Sequence, residues 1–205
     1  MKRYFILFFL FFVVTTTFIL HHRAEGETPL LKRFDEKMKT TRMLTYHDST
    51  FGYAIRYPSF FEQLPDSLIG QDGCCQFRFW NEVQIVLSAF VEKNPGQLTI
   101  EEGMDSLATV LHATGKRHDK VSFTLSGPLF VNGSEMEGYR FYAKYVQHRK
   151  IWFVQSLTYP DKCASSVTRL IRQIDDWQVW ENCVVHESFI LHKRPQATGY
   201  RRLQN

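Results

Sequence analysis

The chain has 205 residues, a net charge of +4 and an aromatic content of 15% that includes 18 Phe. That is length and apolar content enough for one domain with a real core, and it excludes a disordered chain. The basic residues are scattered among acidic ones, which argues against nucleic acid as a partner.

Lys2 and Arg3 precede an apolar run from Phe5 to Leu20. A charged start followed by a short apolar segment is the layout of a secretory signal. The run is slightly shorter than the roughly 20 residues of a spanning helix. Residues 1–26 therefore read as a signal peptide ending near Ala24-Glu25-Gly26, or as a membrane anchor over residues 5–20. The protein is expected to be exported: periplasmic, secreted or anchored, with membrane contact only through this segment.

Residues 27–43 are polar, with Leu30, Leu31, Phe34 and Met38 at helical spacing. They read as a linker helix or a poorly ordered leader. The stretch Tyr46 to Glu62 follows and reads as the unit that opens an antiparallel sheet. In it Phe51, Tyr53, Ile55 and Tyr57 alternate with Gly52, Ala54 and Arg56, and Pro58 stops the strand. Pro65 to Gly73 is a loop. Gln76 to Trp80 and Val83 to Val91 form a hairpin.

Thr99 to Ala113 is the strongest helix. Thr99 and Glu102 fit a capping box, Ile100, Met104, Leu107, Ala108 and Leu111 make an apolar stripe, and Gly115 is placed to close it. Val121 to Leu125 and Leu129 to Val131 read as strand pieces separated by Gly127-Pro128. Asn132-Gly133 is a turn that also matches a glycosylation sequon. Gly138 to Gln147 and Ile151 to Thr158 are the longest paired strands, joined by His148-Arg149-Lys150. A closing helix carries Cys163, Val167, Leu170, Ile171, Ile174 and Trp177 on one face. Residues 181–205 read as a partly disordered extension with a basic end. Hairpin-joined strands with two covering helices imply an α+β fold with an antiparallel sheet. Tyr53, Ile55, Leu87, Leu107, Phe141, Phe153 and Leu170 are its expected core.

Phe51-Gly52-Tyr53-Ala54-Ile55-Arg56-Tyr57-Pro58 resembles the opening strand of the PsbP-like family. Gly138-Tyr139-Arg140 through Tyr159-Pro160, followed by a helix to Asp176-Trp177, resembles that family's long hairpin and closing helix. The resemblance covers about residues 44–180. It implies an α/β/α sandwich around a central antiparallel sheet, in the manner of exported bacterial members. Most family members it points to are non-enzymatic: photosystem accessory subunits, Ran-binding proteins of the Mog type and exported bacterial proteins.

Chemistry is sparse along the chain. There is no His-Glu-x-x-His, no Gly-x-Ser-x-Gly elbow and no Gly-rich phosphate loop. Among the eight histidines, His112 and His118, with Asp119, form the one set placed to approach each other and hold a metal ion. No other cofactor is expected.

The four cysteines are Cys74, Cys75, Cys163 and Cys183. Export would let disulfides persist. Some fourteen helical residues span about 21 Å, and six extended residues return at most about 20 Å, so Cys163–Cys183 would be taut. Pairing of Cys163 and Cys183 with Cys74 and Cys75 needs no such stretch. The function expected from all this is a non-catalytic accessory or binding protein of the cell envelope, acting on a protein partner or ligand. The alternatives are a hydrolase whose site the fold assembles and a small-molecule or metal carrier.

Overall fold

The computed structural model describes residues 31–65, 69, 73–81 and 83–179. The N-terminal apolar run, Cys183 and the basic C-terminal residues lie outside them. The chain divides into two compact units between Thr40 and Thr41. In the first, residues 31–40 are helical (α1). Phe34 and Met38, four residues apart, share its buried side, and Lys39 pairs with Asp35 one turn back at 2.5 Å.

The second unit begins with β1 (Met43–His47) and β2 (Ala54–Pro58), an antiparallel pair. The remaining strands are β3 (Glu62–Gln63), β4 (Cys75–Trp80), β5 (Gln84–Lys93), β6 (Gly115–His118), β7 (Ser122–Val131), β8 (Ser134–His148) and β9 (Ile151–Pro160). They form one seven-stranded antiparallel sheet in the order β3-β4-β5-β9-β8-β7-β6. The opening pair does not start this sheet, as the sequence suggested, but stands as a two-stranded sheet of its own. Side chains decide this. Phe51, Tyr53 and Ile55 are each 1% exposed, and the Tyr57 ring stacks on Phe77 of β4 at 3.9 Å. The pair packs through its aromatic side chains onto the sheet's surface and does not extend the ladder.

Period-two alternation gives the large sheet two apolar faces. One carries Phe123, Leu125, Ala143, Tyr145, Trp152 and Val154, buried with Met104 of helix α2 (Ile100–Val110). The other carries Phe77, Ala89, Phe153 and Leu157. Tyr53 reaches this face, with its ring 6.1 Å from Phe153, and so does Trp177, with its ring 6.3 Å from Tyr53. Trp177 follows helix α3 (Thr168–Asp175), and its indole N–H donates to the Ala54 carbonyl at 2.7 Å. Helices thus cover both faces of an antiparallel sheet, the α/β/α arrangement expected. Six of the seven expected core residues are buried. Leu107 is only partly so, because its turn of α2 borders an open cleft.

The capping box of α2 is present. Thr99 Oγ1 accepts from the Glu102 N–H at 3.3 Å, and Glu102 Oε2 accepts from the Thr99 N–H at 2.9 Å. The helix does not end on Gly115, which instead begins β6. His112 takes the left-handed conformation at φ 52°, and the Ala113 N–H reaches back to the Ala108 carbonyl at 2.9 Å. Asn132 (φ 52°) and Gly133 (φ 80°) make the two-residue turn of the β7–β8 hairpin.

The two strand pieces around Gly127-Pro128 are one strand with an irregularity between Pro128 and Phe130. β6 pairs with β7 only from Phe123 to Ser126, so Pro128 breaks no ladder bond on that side. The closing segment is split into a 3₁₀ turn, Asp161–Cys163, and α3, with Cys163, Val167, Leu170 and Ile174 all buried. Among the described residues no helix is long and apolar enough to cross a membrane.

Candidate functional site

The structure gives the three residues of the expected metal set separate jobs. His112 closes α2, and its ring packs on Phe130 with centroids 4.2 Å apart. His118 ends β6 at the surface, with Nε2 4.0 Å from Glu101 Oε1. The Asp119 carboxylate accepts from the Val121 and Ser122 N–H groups at 2.8 and 2.7 Å and from the Ser122 hydroxyl at 2.7 Å. Burial pushes the Asp119 carboxyl up, but those hydrogen bonds outweigh it and hold it below the usual carboxylate range. Among the described residues no three His, Cys, Asp or Glu side chains converge as a metal ion requires.

No disulfide links one described cysteine to another. Cys75 is wholly buried and receives the Tyr53 hydroxyl at 3.6 Å. Cys163 is also wholly buried. Burial pushes its thiol up, away from the thiolate form. Pairings with Cys183 lie outside the described residues. Ser156 shares a 3.1 Å hydrogen bond with Ser88 across β5 and β9.

A polar cluster that sequence reasoning missed joins β6, β8 and α3. Arg117 Nη2 donates to Tyr142 Oη at 2.7 Å and to Asp175 Oδ1 at 3.1 Å, and Tyr142 donates to the same carboxylate oxygen. Lys144 is 8% exposed, and its ammonium donates to the Asp175 carbonyl and, at 2.8 Å, to the Trp177 carbonyl. A cation against the last carbonyls of a helix satisfies acceptors the helix cannot use and suits its dipole. Burial pulls the Lys144 ammonium down, and Asp119, Asp175 and Asp176 partly restore it. Burial, then Asp175, pushes the Tyr142 phenol up. The signal in the sequence was a lysine in mid-strand, set between Tyr142 and Val146 at period-two positions within the run Phe141 to Val146.

Two features open outward. At the end of β4, Trp80 is 63% exposed, and the Arg78 guanidinium lies 5.8 Å from the centre of its ring. Arg78 also meets Glu62 of β3 at 3.4 Å. Phe60 stands edge-on to Phe79 at 5.6 Å and to Phe61 at 5.3 Å, which builds an aromatic shoulder there.

The second feature is a cleft of about 190 Å³ where the β5–α2 loop leaves the sheet. Pro95, Leu98, Leu107 and Trp152 give it apolar walls, and Glu92 and Ser106 are polar members of its lining. The loop is clamped by Asn94, whose side chain donates to the Leu98 carbonyl at 3.0 Å and accepts from the Leu98 N–H at 2.9 Å. Gln147 donates to the same carbonyl at 2.9 Å. Desolvation pushes the Glu92 carboxyl up, although the residue as a whole stands at the surface.

No family model and no curated protein matches the chain. Solved structures do. The cyanobacterial PsbP (CyanoP) of Synechocystis sp. PCC 6803 is similar at 15% identity and a TM-score of 0.49, over 68% of this chain and 94% of that one. The Ran-binding protein Mog1p of Saccharomyces cerevisiae is similar at 9% identity and a TM-score of 0.47, over 67% of this chain and 95% of that one. At these identities the likeness is one of fold alone.

Proposed function

We propose that this chain is an exported, non-catalytic binding protein of the cell envelope that meets a protein partner through the Trp80 end of β4. The charged start and apolar run at Lys2 to Leu20 support export. The observation that carries the binding reading is Trp80 itself, a large apolar ring 63% exposed beside a guanidinium. Trp and Arg are the residue types that dominate binding energy at protein interfaces. Arg78 sets the chemistry of the occupant: an apolar pocket rimmed by carboxylates.

Placing a photo-crosslinking phenylalanine analogue at position 80 in the source cells tests this. One envelope protein should be captured. That protein, purified, should bind the wild-type chain, and Trp80→Ala should weaken binding by at least about 30-fold, the equivalent of a 2 kcal/mol hot spot. A cytoplasmic adduct, a second copy of this chain as the adduct, or an unchanged affinity for Trp80→Ala would each overturn the reading.

A further inference from the structure

We propose that the cleft between the β5–α2 loop and Trp152 binds a small organic cation, an amine carried on a flat apolar body. Its size, walls and charge all bear on that choice. Its volume of about 190 Å³ equals roughly six waters and is below the roughly 300–1,000 Å³ of sites for drug-sized ligands, so the occupant is small.

Its walls are made of Trp152, Leu98, Leu107 and Pro95. They offer an apolar body somewhere to lie. Trp152 is held rigidly for this. It is 3% exposed and stands edge-on to Phe123 at 5.3 Å. Gly103 lets α2 come close to it, since a Cβ there would fall 2.8 Å from the indole Cζ2. The floor is therefore preformed, and the Asn94 and Gln147 hydrogen bonds to Leu98 hold the loop that forms the opposite wall.

The charge comes from Glu92. Glu92 lines the cleft and pairs with Trp152 in the β5–β9 register, so the two side chains leave the sheet on the same face; partial desolvation pushes its carboxyl up, and an arriving cation would stabilise its ionised form. An aromatic face next to a carboxylate is a combination that holds amine cations. Lys93 also borders the cleft, but its side chain leaves the strand on the side opposite Glu92. Trp80 pairs with Gln84 at one end of β5 and Glu92 lies near the other, so this site is separate from Trp80 and does not rest on the partner proposed above.

The test uses the full chain, isotope-labelled, titrated with 2-phenylethylamine, 2-phenylethanol and phenylacetate, three probes of one size and different charge. The amine should shift the amide signals of Gly96 and Gly103 and the Trp152 indole N–H. Phenylacetate should bind at least about tenfold more weakly, the equivalent of one modest ionic contact. Glu92→Gln, at the surface and not part of the core, should bring the amine and the alcohol to within about threefold of each other. Ser106→Trp should block all three, with the remaining spectrum showing that the fold is intact. Equal binding of amine and alcohol by the wild-type chain, shifts unaffected by Ser106→Trp, or no shift at millimolar amine would each overturn the proposal.

Discussion

The two edges of the large sheet are finished in opposite ways. At one edge, β6 is a run of charged residues, and its alternation divides them between two helices. Lys116 reaches Asp105 of α2 at 2.6 Å, and His118 approaches Glu101 of the same helix. Arg117, pointing the other way, reaches Tyr142 and Asp175 of α3. At the other edge, β3 contributes two paired residues, opposite Arg78 and Phe77, and β4 runs on past it to Phe79 and Trp80. An unpaired edge invites further strands, and charge is the common defence. The β6 edge has that defence, and its side chains are committed within the molecule. The β4 edge ends in rings, one of them free to meet another surface. One edge holds the layers together, and the other is available for recognition.

The largest effect that would test this contrast lies under the β4 edge. Phe77 has no exposed surface, stacks on Tyr57 at 3.9 Å and meets Tyr46 edge-on at 5.7 Å. It is the anchor by which the β1–β2 pair sits on the sheet. Phe77→Ala should cost roughly 3–5 kcal/mol, read as a lower urea midpoint with an unchanged slope. A loss under about 1 kcal/mol would mean that the aromatic edge is not held from beneath.

These two edges also show what the sequence could reveal. β4 was legible because Phe77 and Phe79 alternate with Gln76 and Arg78 ahead of a short turn. β6 was not, because Gly-Lys-Arg-His has no apolar face. It is a strand only because β7 offers it a ladder and two helices offer its side chains partners. The opening unit was recognised as a strand pair but assigned to the wrong sheet. Alternation reports which side chains are buried, and it does not say which backbone lies alongside. The expected metal set is divided among three local roles. His112, His118 and Asp119 are close in sequence, yet a helix closure, a strand end and a tight turn each claim one. Trp80 and the cleft were out of reach, since exposure of a ring and the gap between a helix and a strand end are set by packing across the whole unit.

A smaller effect probes the β6 edge through its turn. The Asp119 carboxylate accepts two backbone N–H groups and the Ser122 hydroxyl, and its folded pKa lies below the ordinary 3.8. A carboxyl depressed by folding stabilises fully above its unfolded pKa, and that contribution is lost as pH falls through its folded value. Asp119→Ala should therefore cost about 1–2 kcal/mol at neutral pH, for an exposed turn that keeps some solvent competition. The gap to wild type should close progressively below about pH 4. A gap that stayed constant down to pH 2 would mean that the carboxylate charge does not hold this turn.

The smallest expected effects separate the edges most sharply. Lys116 and Asp105 are more than half exposed, at 53% and 62% of their side chains, so their ion pair is worth about 0.2–1 kcal/mol and is screened by salt. Lys116→Ala should lower stability by roughly 0.5 kcal/mol in low salt and by less in 1 M salt. Trp80→Ala should change stability by no more than about 0.5 kcal/mol, since most of its ring lies in water in the folded chain. Salt should leave that value alone, because the ring's burial is apolar. The two edges would then look alike in a denaturation curve at high salt, and only binding would tell them apart. If Trp80→Ala instead cost more than about 1 kcal/mol, the ring would be part of the fold's own packing. The β4 edge would then be a second internal clasp, built of rings where β6 uses charges, and the contrast drawn between them would fail.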